Sequence, residues 1–167
     1  MEKAPTSSQT DVTVLGTYRN QALDLLERQK TLVLAVSAGN RPWVAPVYYV
    51  YESPGIYFFS SPRSKHIQAL RDCLLTAGAI YADSHRWQDI HGLQMIGQVE
   101  EVQGKLERLN ITTRYLVKFP LARDMLASGT DRIRDLSPKV GLYVFWPTEI
   151  HCTNNSLEFG RRVQIKL

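Results

Sequence analysis

Three short runs of β-forming residues follow one another in the first third of the chain, at residues 31–37, 43–51 and 56–60. The connections between them, residues 38–42 and 52–55, are short and contain glycine and proline, which favour turns. Parallel strands need a crossover of a dozen or more residues, so strands joined by turns this short pair antiparallel. The sequence therefore predicts an antiparallel meander, and this constrains the fold more than any other feature.

The rest of the chain extends the meander with further strands and with helices of amphipathic spacing. Pro147 is expected to kink the sheet, and Gly97, in the middle of the fifth strand, is typical of a bulge or a close backbone approach. Pro46 cannot donate a ladder hydrogen bond, so it marks an edge, a bulge or a ligand contact. We expect a mainly β fold with peripheral helices, an antiparallel barrel. The predicted helices are 14–30, 64–72, 104–118 and 121–127, and the further strands are 76–82, 93–102, 140–146 with 149–153, and 163–167.

Length and composition are typical of one soluble globular domain: 167 residues, of which 44% are hydrophobic and 22% charged. Residues 1–12 are expected to be a disordered polar tail, and residues 13–167 a single domain. The apolar runs are too short to cross a bilayer, and the first residues lack the apolar core of a secretory signal. With two cysteines, a reducing cytoplasm is the simplest setting. The net charge is +4, but the basic residues are scattered, which disfavours a nucleic-acid role.

The end of the third strand and the start of the following helix carry a polar cluster. Phe59, Ser60 and Ser61 end the strand, and the helix opens at Ser64-Lys65-His66. Unpaired backbone N–H groups at a helix start attract phosphate, hydroxyls donate to its oxygens, and lysine adds charge. Taken alone, the pattern fits either a phosphate site or an ordinary serine N-cap beside a solvated lysine.

The histidines leave a second question open. No set of four ligands occurs at zinc spacing, so no metal site is expected. His66, His85 or His151 could each serve as an axial ligand of haem, and each also fits a loop or surface position.

The order and spacing of several short motifs resemble a known family. They are the meander, Phe58-Phe59-Ser60-Ser61, the helix start Ser64-Lys65-His66 followed by Leu70, the strand around Gln94-Met95-Ile96-Gly97, and the tail 154–160. Over residues 14–155 the chain resembles the pyridoxamine 5′-phosphate oxidase-like, FMN-binding split barrels, in particular a small branch of that group.

The resemblance implies a six-stranded antiparallel split β-barrel that forms a homodimer, with two FMN molecules in clefts between the subunits. The phosphate would lie at the junction between the third strand and the short helix, the backbone of Pro46 and Val47 would face the flavin ring, and Gln94 would reach the ring edge. A partner subunit would close the site, with Trp87, Phe159 or Arg161 as candidates. The implied cofactor-binding residues are Pro46, Val47, Phe59, Ser60, Ser61, Ser64, Lys65, His66 and Gln94.

The corresponding activity is that of an FMN-dependent oxidoreductase acting on a small molecule, with NAD(P)H as one candidate electron donor. Flavin would supply the redox chemistry, and the protein would tune it by hydrogen bonds and charge. Pyridoxamine phosphate itself is not the expected substrate, because the arginine-rich C-terminal ending of those oxidases is not evident here. Two alternatives remain: a non-catalytic dimer on the same barrel that holds flavin or haem, and a cofactor-free dimer.

Overall fold

The computed structural model describes residues 7–73, 75–122 and 140–167. The described helices are α1 (Ser7–Arg28), α2 (Lys65–Asp72) and α3 (Lys105–Lys118). The strands are β1 (Thr31–Ala38), β2 (Arg41–Glu52), β3 (Gly55–Ser60), β4 (Leu75–Tyr81), β5 (His91–Glu101), β6 (Gly141–Asn154) and β7 (Arg162–Ile165). A single turn of 3-10 helix, Trp87–Asp89, interrupts the connection from β4 to β5.

The strands form a barrel in which β3-β2-β1-β4-β5-β6 are neighbours in that order and β3 pairs back onto β6. Every pairing is antiparallel. The predicted class, a mainly β split barrel with peripheral helices, is confirmed. In the described part of the chain the sheet has seven strands rather than six, because β7 adds to the last part of β6, beyond the segment that pairs with β3.

Strand β6 pairs with β5 along one edge and with two different strands along the other edge. On that other edge, the first part of β6 pairs with β3 and the last part with β7. Pro147 does not end the strand, because the β5–β6 register shifts between Ile96 and Gly97, opposite this proline. A Cβ atom at Gly97 would clash with the carbonyl oxygen of Trp146. The expected close backbone approach at Gly97 is therefore confirmed.

The main core fills the barrel and extends to α1. This helix contacts β2, β4, β5, β6 and β7. It buries an apolar stripe of helical spacing, which places its inner face in the same cluster as the strand residues. The stripe consists of Tyr18, Ala22, Leu25 and Leu26; the strand residues fully buried with it include Leu32, Leu34, Tyr49, Ile56, Phe58 and Phe145.

A second, smaller core lies on the outside of the barrel under α3. Ile111 of α3 is buried against a cluster from β2, β3 and β6 that contains Val50, Tyr57, Leu142 and Val144. Because α3 covers the outside here, residues on both faces of these strand segments are buried, and the alternating pattern disappears. Elsewhere the outer face of the sheet is not covered by the described helices, and buried and exposed residues alternate along the strands.

The helix limits differ modestly from the predicted ones. Helix α1 begins at Ser7, seven residues before the predicted start, and so includes residues 7–12 of the expected polar tail. The domain limits otherwise stay a prediction. Residues 120–122 are helical, and the rest of the predicted helix 121–127 lies outside the described residues. Among the described helices, none has the length and apolar character needed to span a membrane.

Candidate functional site

The junction between β3 and α2 places polar groups around a helix start. Ser60 ends β3 and pairs with Gly141 of β6. Ser64 is the N-cap of α2, but its hydroxyl makes no cap hydrogen bond; instead it donates to the carbonyl oxygen of Ser61 at 2.8 Å. Because the first N–H groups of any helix have no partner within it, the start of α2 keeps its donors available to an anion.

An imidazole ring and two hydroxyls meet at this junction. The Nε2 atom of His66 lies 2.8 Å from the Ser60 hydroxyl oxygen and 3.3 Å from that of Ser64. The two hydroxyl oxygens are 3.1 Å apart. Burial lowers the pKa of His66 below its usual 6.5, so the ring is neutral at pH 7. We name Ser60, Ser64 and His66 the hydroxyl–imidazole cluster.

The other predicted residues of the junction point elsewhere. The Lys65 ammonium lies 3.8 Å from the ring centroid of Trp43, in a cation–π contact at the start of β2. Ser61 accepts a hydrogen bond from the backbone N–H of Arg63 at 3.2 Å. Phe59 packs edge-on against Tyr115 at 4.9 Å, in the outer core under α3. The structure therefore brings together Ser60, Ser64 and His66 but not the side chains of Lys65 or Phe59.

The uncovered part of the barrel forms what we call the open sheet face, on the outside of β2, β1, β4, β5 and β6. Pairing aligns one row of side chains across it: Pro46, Val33, Ala79, Gln94 and His151. A shallow cavity of about 390 Å³ lies on this face, lined mainly by small or apolar residues. Its lining is Val33, Ala35, Ala77, Gly78, Ala79, Gln94, Met95, Ile96 and His151.

Pro46 lies at a local edge, as one of the sequence interpretations expected. Strand β2 pairs with β1 from Arg41 to Tyr48, whereas β3 joins it only from Tyr49 onward. The proline is exposed, and the next residue, Val47, is buried in the barrel core. Of this pair, only the proline ring lies on the open sheet face, so a ligand there could meet Val47 only through its backbone.

An imidazole–carboxylate pair adjoins Gln94 on the same face. The Nε2 atom of His151 lies 2.6 Å from Oε1 of Glu149, and His151 is the register partner of Gln94. The sequence analysis considered this histidine only as a haem ligand and did not single out Glu149. The sequence pattern that could have identified the pair was present, since Glu149 and His151 are two residues apart on one strand and therefore share a face. Trp43 was also missed, because only the fold brings it beside Lys65.

The candidates for closing the site from a partner subunit form an exposed aromatic corner. Trp87 and Phe159 contact each other edge-to-face at 4.8 Å, and Asn155 donates a hydrogen bond to the Trp87 carbonyl oxygen at 2.8 Å. Arg161 lies close by in sequence and pairs with Glu158 at 2.6 Å. His85, the remaining haem candidate, is exposed in the loop before this corner.

Comparison with known sequences decides the family. The family model described as pyridoxamine 5′-phosphate oxidase matches residues 18–125, which include the β3–α2 junction and Gln94. The chain belongs to this family. A UPF0306 protein of Klebsiella pneumoniae is 28% identical over 140 residues, covering 83% of this chain and 86% of the relative.

Solved structures agree on the fold. A putative pyridoxamine 5′-phosphate oxidase from Listeria innocua superposes with a TM-score of 0.64 at 17% identity, over 81% of this chain and 97% of its own. HutZ, the haem storage protein of Vibrio cholerae, gives 0.62 at 18% identity over 80% and 92%. A FAD-binding protein of Mesorhizobium loti gives 0.54 at 17% identity over 79% and 89%. At such identities the likeness establishes the barrel and not the ligand.

Proposed function

We propose that the protein is an FMN-binding homodimer that catalyses the oxidation or reduction of a small molecule. The observation that carries the proposal is the hydroxyl–imidazole cluster at the start of α2. Members and neighbours of the family differ in what they hold, since one structural neighbour is described as FAD-binding and another as a haem storage protein. The choice of FMN therefore depends on the residues of this chain.

The junction has the donors that a phosphate monoester needs. The two cluster hydroxyls can donate to phosphate oxygens, and the start of α2 adds N–H groups that have no partner within the helix. The Lys65 side chain is flexible and lies beside the cluster in sequence, so its ammonium can turn from Trp43 toward a bound anion. This set of donors, with no carboxylate among its members, fits a dianionic phosphate.

The open sheet face has the properties that a flavin ring needs. Alanine, glycine and valine side chains give a flat apolar floor, and the exposed amide of Gln94 offers both a donor and an acceptor to the edge of a ring. FMN would supply hydride chemistry when bound. The residues of this chain would orient the ring, exclude water from one side of it and place the hydrogen-bonded pair of His151 and Glu149 next to Gln94.

A second copy of the chain is the proposed cover of the open sheet face. The face spans five strands and exposes large apolar side chains beside its small residues, among them Val44, Tyr48 and Ile96. Apolar area of this extent on a sheet is typical of an interaction surface. A twofold partner would close the cofactor cleft, and the aromatic corner of Trp87 and Phe159 is the proposed contribution from the other subunit.

A spectrum followed by a turnover assay tests this function. The purified protein is incubated with FMN, freed of excess ligand and scanned from 300 to 550 nm; the proposal expects retained flavin bands. NADH and NADPH are then tested as electron donors, and steady oxidation distinguishes an enzyme from a carrier. A protein that keeps no flavin under these conditions contradicts the proposal.

The second candidate function is a non-catalytic carrier of haem or flavin. It is favoured by His151, an imidazole on the open sheet face whose Nδ1 atom has no hydrogen-bond partner among the described residues, while its Nε2 atom contacts Glu149. A carboxylate bonded to the other ring nitrogen is a common support for a metal-bound histidine. Titration with haemin decides between them: a sharp Soret band that disappears in His151→Ala favours the haem carrier.

A further inference from the structure

Of the two basic side chains in the first turn of α2, His66 is the one that contacts the cluster hydroxyls. The Lys65 ammonium is engaged with the Trp43 ring at 3.8 Å, whereas His66 lies within hydrogen-bond distance of both cluster hydroxyls. In its neutral form the ring can donate from one nitrogen only, and the hydroxyls already take up its Nε2. The cluster is thus satisfied internally and carries no positive charge of its own.

Among the described side chains, no carboxylate is hydrogen-bonded to His66. Helix α2 packs against β1 and β2. Strand β1 has no ionisable side chain, and β2 carries Arg41 and Glu52 at its two ends with Tyr48, Tyr49 and Tyr51 between them. Strand β3 adds Tyr57, which bonds to Glu107 of α3, and α2 itself adds Lys65 and Arg71. Burial lowers the pKa of His66.

We propose that His66 makes this site selective for phosphate monoesters over uncharged ligands, because the ring takes up a proton as the phosphate binds. The inference rests on the proposed function. A dianion placed against the cluster supplies the opposite charge that the ring lacks in the free protein, and an opposite charge within about 4–6 Å raises a histidine pKa by roughly 1–3 units. Nε2–H then donates to a phosphate oxygen, and the two hydroxyls reorient to donate as well.

The proposal distinguishes two ligands that share the flavin ring. FMN brings the dianion and is expected to bind with proton uptake at pH 7, whereas riboflavin has no phosphate and is expected to bind more weakly with none. A fixed cation in place of the imidazole would keep the preference for FMN but lose the proton uptake. These two consequences separate a titrating histidine from a merely structural one.

Calorimetry in paired buffers tests the proposal. FMN and riboflavin are titrated into the wild-type protein at pH 7 in two phosphate-free buffers of different ionisation enthalpy, and the difference in heat gives the protons exchanged. For FMN we expect a net uptake of protons, and for riboflavin none. His66→Lys is expected to bind FMN with no uptake, and His66→Gln to bind FMN at least about tenfold more weakly.

The outcomes of these titrations distinguish the role of His66 from the FMN assignment. Tight FMN binding without proton uptake by the wild type, or equal uptake by wild type and His66→Lys, would overturn the role of His66 and leave the FMN assignment standing. Failure of the wild type to bind FMN would overturn both. Circular dichroism and thermal unfolding of each variant confirm that it is folded, since His66 is half-buried and contacts two side chains.

Discussion

The Nε2 atom of His66 lies 2.8 Å from the hydroxyl oxygen of Ser60, and this contact joins the first turn of α2 to the last residue of β3. The helix start and the strand end are thereby held as one unit. Since β3 is fixed on its other side by β6, the position of the cluster is set by the closed barrel rather than by the loop between the two elements.

Removal of the Ser60 hydroxyl tests the phosphate site. Ser60→Ala is expected to weaken FMN binding roughly tenfold, because a hydrogen bond to a charged group contributes about 1.5 kcal/mol. Riboflavin affinity is expected to be unchanged. Thr113→Ala is the matched control, since this hydroxyl on the exposed side of α3 bonds only to the Leu109 carbonyl oxygen of its own helix. An equal loss for both ligands would place the phosphate elsewhere.

Gly97 is expected to tolerate no side chain. In Gly97→Ala the new methyl would clash with the Trp146 carbonyl oxygen and lie 2.8 Å from the Phe145 ring, so β5 and β6 would have to separate. We expect a loss of about 2 kcal/mol or more in the free energy of unfolding, measured by urea titration. Gly16→Ala is the control: nothing lies within 4 Å of the new atom, and α1 should gain up to about 1 kcal/mol. A stable Gly97→Ala protein would contradict the close strand approach.

Lys118 is expected to make stability depend on pH. Its ammonium lies over the Tyr49 ring at 4.3 Å and has no hydrogen-bond partner among the residues that the structure describes, and burial lowers its pKa to about 8. The unfolded chain, with a lysine pKa near 10.4, binds more protons than the folded one between these values, so this group makes the free energy of unfolding rise with pH from about 8 to 10.

The comparison of two variants isolates that contribution. In Lys118→Met the free energy of unfolding should lack the rise with pH that Lys118 causes. The difference in unfolding free energy between wild type and Lys118→Met should therefore change steadily from pH 7.5 to 9.5 in urea titrations. Other groups, such as the buried thiol of Cys152 whose pKa burial raises to about 11, titrate equally in both proteins and cancel. Lys105→Met, at the exposed start of α3, should give no such trend; a trend of the same size there would refute the assignment to Lys118.

Charge on the open sheet face tests the proposed dimer. Ala77 lies on this face, exposed, opposite Ala35 of β1 and Ile96 of β5. Ala77→Arg would bury a charge in a twofold interface, so we expect a shift from dimer to monomer in analytical ultracentrifugation. Thr113→Arg on the outside of α3 is the control for added charge. A wild-type protein that sediments as a monomer at micromolar concentration would contradict the dimer directly.

Local sequence patterns were sufficient for the barrel. The turns at 38–42 and 52–55 predicted the meander β1-β2-β3, and later runs of β-forming residues predicted β4 and β5. The pairing of β6 was harder to foresee. Pro147 predicts a kink after which the sheet continues, but the sequence does not show that the register shift opposite Gly97 lets one strand pair with β3, β5 and β7.

The candidate site was also predictable in part from local sequence patterns. Ser60, Ser64 and His66 are within seven residues of one another, so a strand followed by a short helix brings them together. The contact of Lys65 with Trp43 joins residues far apart in the chain and depends on how α2 lies against β2. Burial of Val47 and partial burial of Phe59 follow from strand facing and from the cover that α3 provides, and neither is visible in the residues of the motif.

The most direct test of the account is the stoichiometry and phosphate dependence of flavin binding by the unmodified protein. Equilibrium dialysis against FMN and against riboflavin, in a phosphate-free buffer at pH 7, measures both. The account predicts one FMN per chain and an affinity for FMN at least about tenfold higher than for riboflavin. Equal affinities for the two flavins, or no retained FMN, would contradict it.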